Sequence, residues 1–241
     1  GENLYRNDEP SPTRSCVLVR ISHSHIRIGT FQYHAYNQDN TSLENLMKSI
    51  GKYYFSFNDS ENTTLNFFSR VVQNCANLAA SYNIFGFVHG VLNTDNINIT
   101  GESFDYGPYR MMEEYNPEKI AAYFDHSGLY KFSKQVDAIF WNVQQLASIM
   151  TLFLEEKLII EELKKYIDLY NSEVLRLFFQ RLGLPPNSLE SNNQKLLQAF
   201  YEILIKSPYL YEEIYHDLRG GKEKVNFQNE LKQKYKNFNL D

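Results

Sequence analysis

Residues 89–107 read HGVLNTDNINITGESFDYG, and within them two carboxylates and an amide are spaced for phosphate chemistry. Asp95 and Asp105 each offer a hard anionic oxygen, and Asn96 offers a neutral carbonyl oxygen beside the first of them. Mg2+ takes octahedral oxygen ligands, usually one or two carboxylates completed by substrate phosphates and water. Asn, Asp and Gly are also the commonest turn formers, so a plain turn-rich loop is the competing reading of the same letters.

The elements that must position this loop can be read from periodicity. Leu65, Phe68, Val72, Cys75, Ala79 and Tyr82 recur at three and four residues, which predicts a helix ending near Asn83 with Gly86 in the turn beyond it. Residues 97–99 and 103–105 can form two very short strands around 100–102, a hairpin whose open end would bring Asn96 and Asp105 together. Upstream, residues 16–21 (CVLVRI) read as a strand, whereas 26–33 (IRIGTFQY) fit a second strand or the start of a helix. Downstream, residues 106–136 have no period. Ile139, Val143, Leu146, Met150 and Phe153 then restore a helical stripe. A longer helix is expected through Leu163, Ile167, Tyr170, Val174 and Phe178, stopped by Gly183 and the Pro185-Pro186 pair. Two or three more helices are expected between Gln194 and Lys236, interrupted at Pro208 and Gly220-Gly221, and the lysine-rich stretch 221–241 reads as a solvated helix or a frayed end. The fold class expected is mainly α with a few short strands.

Composition narrows the function. The chain has 241 residues, 43% of them hydrophobic, with 18 Tyr and 17 Phe, which describes a globular unit with a core built largely from rings. A net charge of −5 argues against a nucleic-acid-binding surface, which normally shows a basic face. No run of eighteen apolar residues occurs, so no membrane-spanning segment is expected. The polar start GENLYRNDEP lacks the apolar stretch of a secretory signal, and the expected location is the cytoplasm. Two cysteines, Cys16 and Cys75, are too few for a disulfide scaffold, and Cys75 falls on the helical stripe as a core residue. His89 is expected to hold the loop by hydrogen bonds, Trp141 to anchor the core, and Glu113-Glu114 to face solvent. His23 and His25 have no further ligand cluster to make them a metal pair.

The order of features is that of kinase-like folds, in which a long helix leads into a catalytic loop and then a small hairpin with Asp-Phe-Gly, here Asp-Tyr-Gly. In small-molecule phosphotransferases of that superfamily the catalytic Asp lies two residues after the His. Val91 occupies that position and cannot accept a proton, which leaves Asp95 as the nearby carboxylate able to replace it. HGVLNTDN followed by FDYGP, with VRISHSHIRIGTFQ upstream and FWNVQQLA downstream, resembles the selenoprotein O (SelO, YdiU, UPF0061) family over residues from about Gly1 to about Gly221. The resemblance implies a protein-kinase-like C-lobe and protein adenylylation (AMPylation), in which AMP is moved from ATP onto Ser, Thr or Tyr hydroxyls of other proteins. ATP would lie reversed relative to ordinary kinases. Carried over residue by residue, the resemblance makes Asp95 the proton acceptor and Asn96 and Asp105 the ligands of Mg2+, with Mn2+ as an alternative ion. It makes Arg20 and Arg27 contacts to the nucleotide phosphates, with Asp105 also serving the nucleotide through the ion.

On that resemblance, residues 1–40 form a strand and phosphate-contact segment at the junction of two lobes. Residues 41–241 form the helical lobe, with the catalytic and metal loops at 89–107. The family leads one to expect a glycine-containing nucleotide loop, a phosphate-binding Lys and its Glu partner ahead of Arg20, and a redox-active Cys or selenocysteine in a later portion; neither is found in this sequence. Where the family continues DYGPFGFLD, this chain reads DYGPYRMMEEY, placing Arg110 where glycine is expected, either crowding the loop or adding a phosphate contact. Two alternatives follow: a non-catalytic kinase-like remnant acting as a binding module, and a phosphotransferase using ATP in the usual orientation.

Overall fold

The computed structural model describes residues 2–5, 11–61, 63–104, 106–186, 190–221 and 233–237. These residues are mainly helical: α1 (Ile28–Tyr36), α2 (Asn40–Tyr53), α3 (Thr64–Ile84), α4 (Gln135–Met150), α5 (Glu156–Lys164), α6 (Tyr166–Leu182), α7 (Glu190–Lys206) and α8 (Tyr211–Leu218). Two small antiparallel pairs accompany them, β1 (Asn3–Leu4) with β2 (Thr13–Arg14), and β3 (Phe87–His89) with β4 (Tyr109–Met111). Among the described residues no helix is long and apolar enough to cross a membrane.

Helix α3 is the axis of the molecule. The expected stripe of Phe68, Val72, Cys75, Ala79 and Tyr82 is buried, and so are Phe67, Val71, Ala76 and Ala80 on adjoining faces, because α3 packs on α2, α4, α5 and α6 at once. Burial pushes the Cys75 thiol up to about 12, which keeps it a neutral core group. Its N-terminus is capped by the Thr63 hydroxyl, which accepts the Asn66 N–H at 3.2 Å. One core of rings and branched chains lies between α3, α1, α2 and α4, and a second lies between the end of α3, β3 and helices α6 to α8.

The C-terminal end of α3 is tied down by polar groups converging on Asn83. Its side-chain amide donates to the Tyr170 hydroxyl at 2.9 Å and accepts from the Tyr201 hydroxyl, while its backbone carbonyl accepts from Tyr211 at 2.8 Å. Arg181 donates to the neighbouring Ile84 carbonyl. The open carbonyls of a helix end need such partners when they are buried.

Several expectations change. Residues 16–21 form no strand: among the described residues nothing pairs with them, and Val17, Val19 and Ile21 stand 94%, 85% and 95% exposed. Strand propensity alone supplies no ladder partner. The ambiguous segment resolves into one bridge residue, Arg27 opposite Asn98, followed directly by α1. The single long helix expected through Leu163 and Phe178 is two helices parted at Lys165, a break that resets the helical phase and buries Tyr166 in place of Ile167. Gly183 does close α6 in the left-handed conformation (φ 66°, ψ 31°). Trp141 is no core anchor: it lies off the buried stripe of α4 and is 52% exposed. The expectation for 221–241 falls largely outside the described residues. Of the part described, Tyr235 is buried, and Lys234 bonds Glu213 at 2.5 Å and Asp217 at 2.6 Å on α8.

Because the Asn83 side chain serves the Tyr170 and Tyr201 hydroxyls at once, Asn83→Ala is expected to lower stability by about 2 kcal/mol, the scale of orphaning buried hydrogen-bonding groups. Urea unfolding measures this, and an unchanged midpoint would contradict the assigned role.

Candidate functional site

The loop after β3 is held by side-chain amides. Gln135, at the start of α4, accepts the His89 N–H at 2.7 Å and donates to the Phe87 carbonyl at 2.9 Å, imitating a neighbouring strand. Asn142, one turn and more along the same helix, donates to the Leu92 carbonyl at 2.8 Å. His89 is buried, and its Nδ1 accepts the Val91 N–H at 3.1 Å, so the ring proton sits on Nε2. This is the loop-holding role expected for it. Gly90 lets the chain before β4 pass close: its N–H donates to the Pro108 carbonyl at 2.7 Å, and a Cβ there would lie 2.5 Å from that oxygen.

Asn93 begins a tight turn, its Oδ1 accepting the Asp95 N–H and its carbonyl accepting the Asn96 N–H, both at 3.0 Å. The side-chain NH2 of Asn96 donates to the Val91 carbonyl at 2.9 Å. Only the nitrogen can donate to a carbonyl, so the orientation of this amide is fixed and Oδ1 is directed away from that bond. Asn96 is almost fully buried. The expected hairpin follows: the Phe104 N–H donates to the Asn96 carbonyl at 3.0 Å, Ile97 bridges Ser103, and Gly101 turns the chain with φ +79° against Asn74 of α3. Asp105 lies outside the described residues, so the meeting of Asn96 with Asp105 does too.

Helix α1 brings the arginines to this loop. Its first N–H groups, those of Ile28 and Gly29, donate to the Ile97 carbonyl at 3.2 Å and the Thr94 carbonyl at 2.9 Å. Gly29 leaves the Asp95 carboxylate its place: a Cβ there would stand 2.2 Å from Asp95 Oδ1 and the carboxylate would have to move. Arg27 Nη1 lies 3.3 Å from the Asp95 carbonyl and 3.5 Å from Asp95 Oδ1, and the Asp95 carboxylate is otherwise largely open to solvent. Arg27 also covers the Phe104 ring, 4.6 Å from its centroid. Arg20 lies beside the same ring at 5.9 Å and over Tyr106 at 5.3 Å. One nitrogen of that guanidinium, Nη2, is buried with no hydrogen-bond partner among the described residues.

The structure therefore brings Asp95, Asn96 and Arg27 together, and sets Arg20 and Arg27 beside one aromatic ring. Arg110 sits on β4 opposite Val88 with an exposed side chain that donates to the Tyr109 carbonyl at 3.2 Å, so it does not crowd the loop. His23 and His25 do not act as a pair: His23 Nδ1 bonds Glu102 at 2.9 Å, and the His25 ring stands edge-on to Phe104. Sequence reasoning missed Gly29, Phe104, Gln135 and Asn142. The first two carry a signal in hindsight, a glycine at the start of a helix and an aromatic directly before the Asp-Tyr-Gly. The two amides sit on a helix face that periodicity assigns to packing.

The family model described as protein adenylyltransferase SelO matches residues 1–240. The chain is 41% identical over 228 residues to the protein nucleotidyltransferase YdiU of Trichodesmium erythraeum, an alignment covering 91% of this chain and 48% of that protein. It is 36% identical over 227 residues to the protein of the same name from Synechocystis sp., with the same coverage of 91% and 48%. Against that of Gloeobacter violaceus it is 46% identical over 136 residues, 56% of this chain and 28% of that one. The chain spans about half the length of the first two of these relatives. It belongs to the SelO family of protein adenylyltransferases.

Proposed function

We propose that this chain carries the catalytic centre of a Mg2+-dependent protein adenylyltransferase, built on a kinase-like C-lobe, that transfers AMP from ATP to Ser, Thr or Tyr hydroxyls of other proteins. In this reading the acceptor oxygen attacks the α-phosphorus of ATP. The bond from that phosphorus to the α,β-bridging oxygen breaks, pyrophosphate leaves with the electron pair, and the hydroxyl proton passes to Asp95. Asp95 suits the role because its carboxylate is open to an incoming substrate while its backbone is fixed on both sides.

What most supports a phosphate ligand is the Nη2 of Arg20, buried beside Phe104 and Tyr106 and without a hydrogen-bond partner among the described residues. A buried donor without an acceptor is costly, and a phosphate oxygen is the acceptor that a guanidinium fork fits best. Arg27, over the same Phe104 ring, would contribute a second fork. The donor set also fits the ion: the Asn96 amide is turned with its nitrogen on protein, which frees a hard neutral oxygen, and Asp105 would add a carboxylate. Asn96 and Asp105 would hold Mg2+ or Mn2+, and the ion when bound supplies positive charge against the phosphate oxygens. Arg27 rests on Asp95 here, and phosphate would draw it off, leaving the carboxylate free to take the proton.

Incubation of the folded chain with ATP labelled at the α- or the γ-phosphate, together with a protein acceptor, tests the reading. Label from the α-position should stay on protein and label from the γ-position should not; γ-label alone, or no label at all, contradicts it. Asp95→Ala should lower the transfer rate by about 10²–10⁴ with little change in melting temperature. Gly29→Ala should gain about 1 kcal/mol in helix propensity yet lose activity tenfold or more, because the added Cβ displaces the Asp95 carboxylate. Full activity in that variant would show that the position of Asp95 is not critical. Asp105→Ala should abolish Mg2+-dependent ATP binding in calorimetry, and unchanged binding would remove it from the ion site.

A further inference from the structure

The segment carrying Arg20 poses a physical problem. The side chains of Val17, Val19 and Ile21 stand in solvent, so apolar burial does not hold residues 16–21 against the molecule. Yet Arg20 is brought to the rings of Phe104 and Tyr106 with one nitrogen buried. Something other than hydrophobic packing must fix the chain immediately after it.

The polar contacts there converge on one carboxylate. Glu102, at the turn of the 97–103 hairpin, accepts the Thr100 hydroxyl at 2.9 Å and the His23 backbone N–H at 3.2 Å through Oε2, which also lies 2.9 Å from the Ser22 hydroxyl, whose one proton it shares with the Ser24 carbonyl at 2.7 Å. Its Oε1 meets His23 Nδ1 at 2.9 Å. Beside it the buried Asn98 side chain donates to the Ser24 carbonyl at 2.7 Å and to Ser22 Oγ at 3.0 Å. The hairpin that begins at Asn96 is thus stapled to the two residues that follow Ile21. Burial would raise the Glu102 carboxyl, but hydrogen bonds from His23, Thr100 and Ser22 outweigh it and hold the group below its ordinary value, so it is ionised at neutral pH.

We propose that Glu102 is a positioning residue for nucleotide: through Ser22 and His23 it clamps the arginine-bearing segment to the Asn96 hairpin and so sets Arg20 where the phosphates of ATP lie. This rests on the reading of Arg20 as a phosphate contact. A carboxylate that merely shaped its own turn would bond Thr100 and its neighbours, whereas three of the contacts of Glu102 reach residues 79 and 80 positions away. Hydrogen bonds to a charged group are among the stronger ones, and losing several together is enough to misplace a guanidinium by more than its hydrogen-bonding tolerance.

Calorimetric titration of the 241-residue chain with ATP and, separately, with adenosine tests the proposal, using Glu102→Ala, Glu102→Gln, Ser22→Ala, Arg20→Ala and the double variant Glu102→Ala/Arg20→Ala. Glu102→Ala is expected to weaken ATP binding about tenfold and leave adenosine unchanged. Glu102→Gln should recover part of that loss by accepting from Ser22 and Thr100. Ser22→Ala, which leaves the hairpin turn intact, should reproduce part of it, and the double variant should bind ATP no more weakly than Arg20→Ala. Glu102→Ala binding ATP like the unaltered chain, losing adenosine equally, or adding its loss to that of Arg20→Ala would overturn the positioning role. A different result marks failure of the underlying reading: if Arg20→Ala keeps the full preference for ATP over adenosine, Arg20 is not a phosphate contact and the proposal falls with it.

Discussion

Two backbone N–H groups at the start of α1, those of Ile28 and Gly29, hold the carbonyls of Ile97 and Thr94, and the geometry of the site follows from that docking. The first N–H groups of a helix have no partner within the helix and carry its positive end. Here they are satisfied by the loop of residues 94–97 itself. The same contact sets Asp95 against the helix start, places Arg27 beside its carboxylate, and brings that carboxylate to where a Cβ at 29 would lie.

The loop is buried between α3, α4 and the hairpin, and so its backbone groups must find partners within the protein. Side-chain amides supply many of them. Gln135 pairs with β3, Asn142 with Leu92, Asn96 with Val91, and Asn74 donates to the Ile99 carbonyl at 3.1 Å. Neutral amides serve this purpose without bringing further charge beside Asp95. Among the described residues, the charged side chains that meet the loop and its hairpin include Asp95, Arg20, Arg27 and Glu102.

Much of this was legible in the letters, and the failures have distinct causes. The α3 stripe, the Gly183 cap and the hairpin after Asn96 depend on local periodicity and turn chemistry, which a single sequence expresses directly. The roles proposed for Asp95 and Asn96 start from residue type and order and take their detail from the family resemblance. Residues 16–21 misled because their strand propensity is real but a strand also needs a neighbour, and none of the described residues provides it. Trp141 misled because its size suggests burial, while its phase on α4 puts it outward. Gly29 and Glu102 were silent for another reason: each acts through a contact tens of positions away, and such pairings leave no trace in spacing.

Membership of the SelO family gives this geometry its chemical setting, and the chain spans about half the length of the relatives described above. The central claim is spatial: the phosphates of ATP lie between Arg20 and Arg27, with a divalent ion on the Asn96 oxygen. A crystal structure with Mg2+ and a non-hydrolysable ATP analogue tests it most directly. The account requires Arg20 Nη2 and Arg27 on phosphate oxygens and the ion within about 2.0–2.1 Å of Asn96 Oδ1. Phosphates bound away from Phe104, or an Asn96 amide whose oxygen faces Val91, would contradict it.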